Sequence, residues 1–176
     1  MESTFDLTFE TRDLVALCPA AHPQARANFS ATVINSIPLD QIKVPPLVVG
    51  SVVAERLIKI GDTSVRAWGV SSKHKQTWER VQLGTVFLFS RFNKIVGSAR
   101  AVGKAESPSL AGSLWQSGEW PCVFFLDDYM ELDIPLEETN AVMKAHPAFC
   151  VRRFQLLNDD KSKAIANLLI RKLQMA

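Results

Sequence analysis

Trp68 sits inside an alternating, strand-like stretch, Val65–Val70, and opens Gly69-Val70-Ser71-Ser72-Lys73-His74-Lys75, a polar and cationic turn. Trp115 and Trp120 flank Gln116-Ser117-Gly118-Glu119 in a stretch rich in Ser and Gly, which reads as a loop. An indole in such a loop buries little by itself, so it needs either the core or a ligand. Aromatic faces beside cations are what an extruded nucleobase requires: a π surface for stacking, and positive charge for the flanking phosphates. The plain alternative is that these rings are core or hinge packing. For Trp78, at helical spacing before Val81, core packing is the better reading.

The Ser71 and Ser72 hydroxyls and the amides around them, with Lys73, His74 and Lys75, could grip a phosphate or a base edge. A helix N-cap at Ser71 or Ser72 explains the same residues equally well, and both can hold. The tight link from Arg91 to Lys94, with Asn93 inside it, adds three more candidates for backbone contact. Arg152-Arg153 stands between apolar Val151 and Phe154, so on a strand one guanidinium faces inward and the other outward. A phosphate contact and an ion pair to the acidic segment are both open for this pair.

Catalytic sets are missing. His22, His74 and His146 have no metal-ligand spacing with one another or with Cys18, Cys122 and Cys150. No GxSxG, HExxH, Walker or GxGxxG pattern occurs, so no cofactor is expected. Asp127-Asp128 are strand neighbours and point to opposite faces, which disfavours a shared proton. A PD-(D/E)xK nuclease needs Glu-x-Lys on the next strand, and Glu131-Leu132-Asp133 lacks the lysine. The expectation is a binding module, with any catalytic domain outside this chain.

Charge is segregated along the chain. Residues 64–104 hold eight Lys/Arg against Glu79 alone, while residues 105–143 hold eight acids and no Lys or Arg. Residues 144–176 return to seven basic against two acidic. One basic and one acidic face follow from this pattern, and random clumping of surface charge is the alternative. Three scattered cysteines suit buried thiols in a reducing, cytoplasmic setting. No apolar run approaches the roughly 18 residues of a membrane span, and the acidic start is unlike a secretory signal.

With 47% hydrophobic residues in 176, there is material for a sizeable core without metal or disulfide. Pro45-Pro46 marks a connector, giving an N-terminal extension (1–45) packed on a domain (46–176). Short β-rich runs follow at residues 47–53, 65–70, 85–90, 95–102, 121–126 and 129–134. A short helix is expected over 72–83, closed by Gly84, and an amphipathic helix over 161–174 with Ile165, Leu168, Leu169 and Leu173 on one face. The architecture is α+β: a small, strongly bent sheet or open barrel flanked by helices.

In this order the features resemble the YTH/EVE group of the PUA-like superfamily, over residues 47 to about 172. The carrying residues are Ala67-Trp68-Gly69-Val70-Ser71-Ser72, a short helix, Val86-Phe87-Leu88-Phe89-Ser90, a turn with Asn93, and Gly97-Ser98-Ala99-Arg100-Ala101. Trp115, then Trp120-Pro121-Cys122-Val123-Phe124-Phe125-Leu126, and the late segment 149–157 complete the match. The resemblance implies recognition of a methylated base, commonly N6-methyladenine in RNA for YTH domains, in an aromatic cage. Trp68 and Trp115 would be walls, Trp120 or Leu114 a third, Ser71 would lie near the base edge, and Arg152 or Arg153 near phosphate. The upstream Lys-Ser and late Arg-Asp-Gly signatures of eukaryotic YTH domains are absent. The looser EVE-like form is similar to N-terminal readers of modification-dependent restriction enzymes. That implies flipping of 5-methylcytosine or N6-methyladenine from DNA, with a GTPase motor or nuclease fused or associated. Modified RNA is the alternative ligand, and a protein-interaction domain working through residues 105–143 is the second alternative. If the cage holds, Trp68→Ala and Trp115→Ala should end methyl discrimination and leave folding intact.

Overall fold

The structure, a computed structural model, describes residues 9–42 and 64–175. The strand expected at residues 47–53 and the boundary at 45/46 lie outside the described residues. Among the described residues seven strands form one open mixed sheet in the order β2-β3-β6-β5-β4-β1-β7. They are β1 (Val15–Pro19), β2 (Ile37–Pro38), β3 (Ser64–Val70), β4 (Val86–Arg91), β5 (Lys94–Glu106), β6 (Cys122–Pro135) and β7 (Gln155–Leu156). Among the described residues the α-helices are α1 (Pro23–Phe29), α2 (Lys75–Arg80), α3 (Pro108–Trp115), α4 (Leu136–Val142) and α5 (Asp159–Gln174). A π-helical turn, Ser30–Ile34, continues α1, and a 3-10 turn, Ser72–His74, precedes α2.

Alternation along the strands sorts the core into layers. Trp68, Phe87, Phe89, Phe124 and Leu126 face one side, beneath Phe29 of α1 and Trp78 of α2. Val15, Leu17, Val86, Leu88 and Ile134 face the other, beneath Ile165, Leu168 and Leu169 of α5. On that second side Ala67, Val123 and Phe125 have their own cover, Leu110, Ala111 and Trp115 of α3. The α5 start follows local rules: the Asn158 side chain accepts from Lys161 N at 3.0 Å, with Asp159 and Asp160 in the first turn.

β1 sits inside the sheet, parallel to β4 from Val15↔Val86 to Pro19↔Ser90 and antiparallel to β7. Residues 15–19 fall in the segment that composition assigned to an N-terminal extension. A strand buried on both faces shows no alternation, so Val15-Ala16-Leu17-Cys18 carries a weak signal.

The two strands expected at 121–126 and 129–134 are one, β6. Asp128 takes a positive φ of 52°, and the β5–β6 register slips between Ser98 and Arg100 beside it. That bulge turns the strand and accounts for the interrupted pattern. The helix expected at 72–83 ends at Arg80, and Gly84 (φ 91°) lies beyond it in the turn into β4. Lys104 does the closing: its Nζ donates to the carbonyls of Trp78, Glu79 and Val81 at 3.1, 2.8 and 2.9 Å. Its ammonium also lies 4.9 Å from the centre of the Trp78 ring. α3 replaces an expected loop. Gly112 and the serines lower its intrinsic propensity, and packing of Leu110, Ala111 and Trp115 holds it.

Among the described residues no helix is long and apolar enough to cross a membrane, and no group of three His, Cys, Asp or Glu could hold a metal. Cys18 and Cys122 are buried and burial raises both thiol pKa values; Cys150 is half-buried.

Candidate nucleic-acid interface

β2 meets β3 only at Ile37↔Val65 and Pro38↔Ser64, so the second half of β3 runs along an edge of the described sheet. Beside that edge lies a cleft of about 630 Å³. Its walls are Trp68 and Gly69 of β3, Trp115 at the end of α3, Gln116, Ser117, Glu119 and Trp120 of the following loop, and His22, Gln24, Ala25 and Asn28 of the α1 region. Three of the tryptophans singled out by the sequence therefore meet at one place.

Their positions are set by different elements. Thr32, in the π turn, joins them: its Oγ1 accepts from Trp115 Nε1 at 3.1 Å and lies 2.7 Å from the Ala67 carbonyl, to which it donates. That relay ties the end of α3 to the outer edge of β3. Arg66 ties the same turn down, its Nε donating to the Val33 carbonyl at 2.8 Å. Because the Ala67 carbonyl points outward from the sheet, strand geometry turns the Gly69 N–H and C=O outward too, one donor and one acceptor beside the cleft. Glycine at 69 has a steric cause. A Cβ there would lie 2.6 Å from Trp115 Cη2 and 2.8 Å from Trp120 Cβ.

Trp68 and Gly69 are consecutive, so they point to opposite faces of β3. The Trp68 ring goes under α1, edge-on to Phe29 and Phe89 at 6.5 and 5.3 Å between centroids. Trp115 lies over the Gly69 side, and Trp120 stands at 90° to it, 6.2 Å away. Trp68 is 5% exposed and Trp115 7%, so each shows the cleft an edge of a core side chain. Trp120 is half-buried, packed in part against the α3 layer and more exposed than the other two. Leu114 is placed elsewhere, against the α3 layer of the core with Val65 and Leu110.

The cationic candidates divide into two groups. Ser71 starts the 3-10 turn in extended conformation with no side-chain cap, its carbonyl accepting from His74 N at 2.9 Å. Ser72 and Lys73 are exposed; the His74 ring meets Phe154 edge-on at 6.3 Å. Burial, then the charges of Arg153 and Lys73, lower the His74 pKa, so the two basic segments of the sequence converge here. Lys75 turns away to pair with Glu106 at 2.8 Å. Arg152 and Arg153 are both exposed, on a loop rather than a strand, so neither guanidinium points inward; Arg152 Nε donates to Cys150 Sγ at 3.2 Å. Arg91, Asn93 and Lys94 form the β4–β5 hairpin tip, at the opposite end of the sheet from the Ser72–His74 turn. Lys94 pairs with Asp133 at 2.7 Å.

Much of the basic strip at residues 64–104 is used internally: Arg66 on Val33, Lys75 on Glu106, Lys94 on Asp133, Lys104 on α2, and Arg100 on Asp13 at 3.1 Å. Sequence reading missed His22, Asn28 and Thr32. They lie far upstream, and the available signal was Pro23 as a helix-starting proline.

No family model and no curated protein matches the sequence. Among solved structures, the N-terminal domain of Thermococcus gammatolerans McrB bound to m5C DNA is similar, with TM-score 0.69 and 14% identity, over 92% of this chain and 99% of that chain. The chain thus has the α+β fold of that domain, built on an open mixed sheet.

Proposed function

We propose that this chain is a reader of methylated DNA, which takes a 5-methylcytosine or N6-methyladenine out of the duplex and holds it in the cleft at the β3 edge. The observation that carries the reading is the meeting of Trp68, Trp115 and Trp120 on one cleft beside the outward-facing Gly69 backbone. At about 630 Å³ the cleft lies within the roughly 300–1,000 Å³ of small-ligand pockets. A flipped base needs a π face, an apolar seat for its methyl group, and hydrogen-bonding groups for its edge. Trp120 supplies the face and the buried edges of Trp115 and Trp68 the seat. Gly69, with Ser71 at the strand end, supplies donors and acceptors. Lys73, His74 and Arg153 take the neighbouring phosphates. The fold neighbour is bound to m5C DNA, which favours DNA over RNA for this cleft. In this reading the chain is the specificity module of a modification-dependent restriction system, working with a fused or associated GTPase motor or nuclease.

The test is a set of binding curves with one sequence as 5-methylcytosine duplex, N6-methyladenine duplex, plain duplex and methylated single-stranded RNA. One methylated duplex should bind at least about tenfold tighter than the plain one, since one methyl group seated in an apolar pocket is worth roughly 1–3 kcal/mol. Equal affinity for all four ends the reading, and preference for the RNA moves it to that ligand. Lys73→Ala and Arg153→Ala should weaken methylated and plain duplex alike, each lowering the salt slope by about one.

His74 adds a pH dependence. Its lowered pKa leaves the imidazole neutral at pH 7 in the free protein. An arriving phosphate raises that pKa, so binding takes up a proton and affinity increases as pH falls from 7 toward 6. His74→Asn should flatten this part of the profile; an unchanged profile removes His74 from the phosphate contacts.

A further inference from the structure

The tip of the β4–β5 hairpin carries an aromatic ring that folding does not use. Phe92 is 66% exposed, the one phenylalanine or tryptophan left exposed among the described residues. Arg91↔Lys94 closes a two-residue turn whose central residues, Phe92 and Asn93, have φ of 50° and 59°. Two positive φ values mark a type I′ turn, where asparagine and glycine are at ease and a bulky side chain is not. Phe92 thus holds a disfavoured backbone conformation and buries little in return, a combination that points outside the molecule.

The turn is braced. Leu136 N donates to the Asn93 carbonyl at 2.8 Å, and Lys94 is held by Asp133 at 2.7 Å. The Arg91 guanidinium lies 5.6 Å from the Phe92 ring centre, and its Nε is buried without a hydrogen-bond partner. The tip is joined to one rim of the cleft through the end of β1. Ser90, at its base, accepts from Ala20 N at 2.8 Å, and His22, two residues further, lines the cleft. Counted along that path, Phe92 and His22 are at most about 20 Å apart.

We propose that Phe92 is a wedge that enters the base stack where the methylated base is withdrawn, with Arg91 on the adjoining phosphate. The proposal rests on the base-reading function above. Extruding a base leaves a gap, and apolar side chains inserted at base steps fill or open such gaps in duplex DNA. A rigid exposed ring beside a cation, within reach of the receiving cleft, has the required chemistry.

The experiment compares the wild-type chain with Phe92→Ala and Phe92→Gly on a methylated duplex and on the same methylated strand unpaired. Both variants should bind the duplex about tenfold more weakly or worse, the scale of one lost stacking contact. Binding to the unpaired strand, which has no gap to fill, should stay as in the wild type. Phe92→Gly should also melt at a higher temperature, because glycine removes the backbone strain. Variants that bind the methylated duplex as tightly as wild type overturn the wedge and leave the ring to a protein partner. Equal loss on duplex and unpaired strand overturns it as well. A wild-type chain indifferent to methylation removes the base-reading function first, and the wedge falls with it.

Discussion

Trp120→Ala should abolish the preference for methylated over plain duplex while changing thermal stability by only a few degrees. Its ring is half-buried, meets Trp115 edge-on, and is the least committed of the three cleft tryptophans. Removing a stacking face of this kind costs about 1–3 kcal/mol per base, or roughly 5- to 150-fold in affinity. Trp120→Phe keeps a π face and should restore most of the difference. Paired binding curves on methylated and plain duplex decide it. Retained discrimination in the alanine variant would mean that the base is held without this ring.

Trp68→Ala and Trp115→Ala should behave differently, and here the structure corrects the sequence-based expectation that folding survives both. Trp68 packs against Phe29 and Phe89 inside the α1–α2 layer, and Trp115 is the end of the α3 layer. Truncating a buried tryptophan costs about 3–5 kcal/mol, so melting should fall by roughly 6–20 °C in a chain of this length. Trp115→Ala also leaves the Thr32 hydroxyl without the indole donor it accepts from. Lost binding in these variants is informative only beside a melting curve, and melting within a degree or two of wild type would contradict the packing described here. Gly69→Ala perturbs the same contact from the other side, because its added methyl meets Trp115 and Trp120.

The legible parts of this fold are those whose signal is local. Phe87 and Phe89 alternate with Val86 and Leu88 to opposite faces, and the resulting strand is found almost where the pattern puts it. Ile165, Leu168 and Leu169 mark the buried stripe of α5 for the same reason. β1 was hidden because a short strand buried on both faces has no period to detect. α3 was hidden because serine and glycine conceal a helix that tertiary packing imposes. At the cleft, oddly placed tryptophans were visible as a type. Their division between the two faces of β3 depends on Gly69 and on Thr32, whose importance exists only after folding has brought residue 32 to residue 115. Charge misled for a related reason. Lys104, Arg100 and Lys75 look like a binding surface in the sequence and act as internal fasteners in the structure.

The place of β1 in the sheet bears on how the chain reaches this state. Its parallel partner β4 lies about 70 residues downstream and its other neighbour β7 about 140, so the middle of the sheet closes only across long loops. The β4–β5 hairpin can form as soon as it is made, whereas β1 waits for both neighbours before its edges are covered. Folding should therefore be slow relative to helical domains of this size, with an early hairpin and late docking of β1. During synthesis, the stretch around Val15 stays an exposed apolar strand until β7 has left the ribosome.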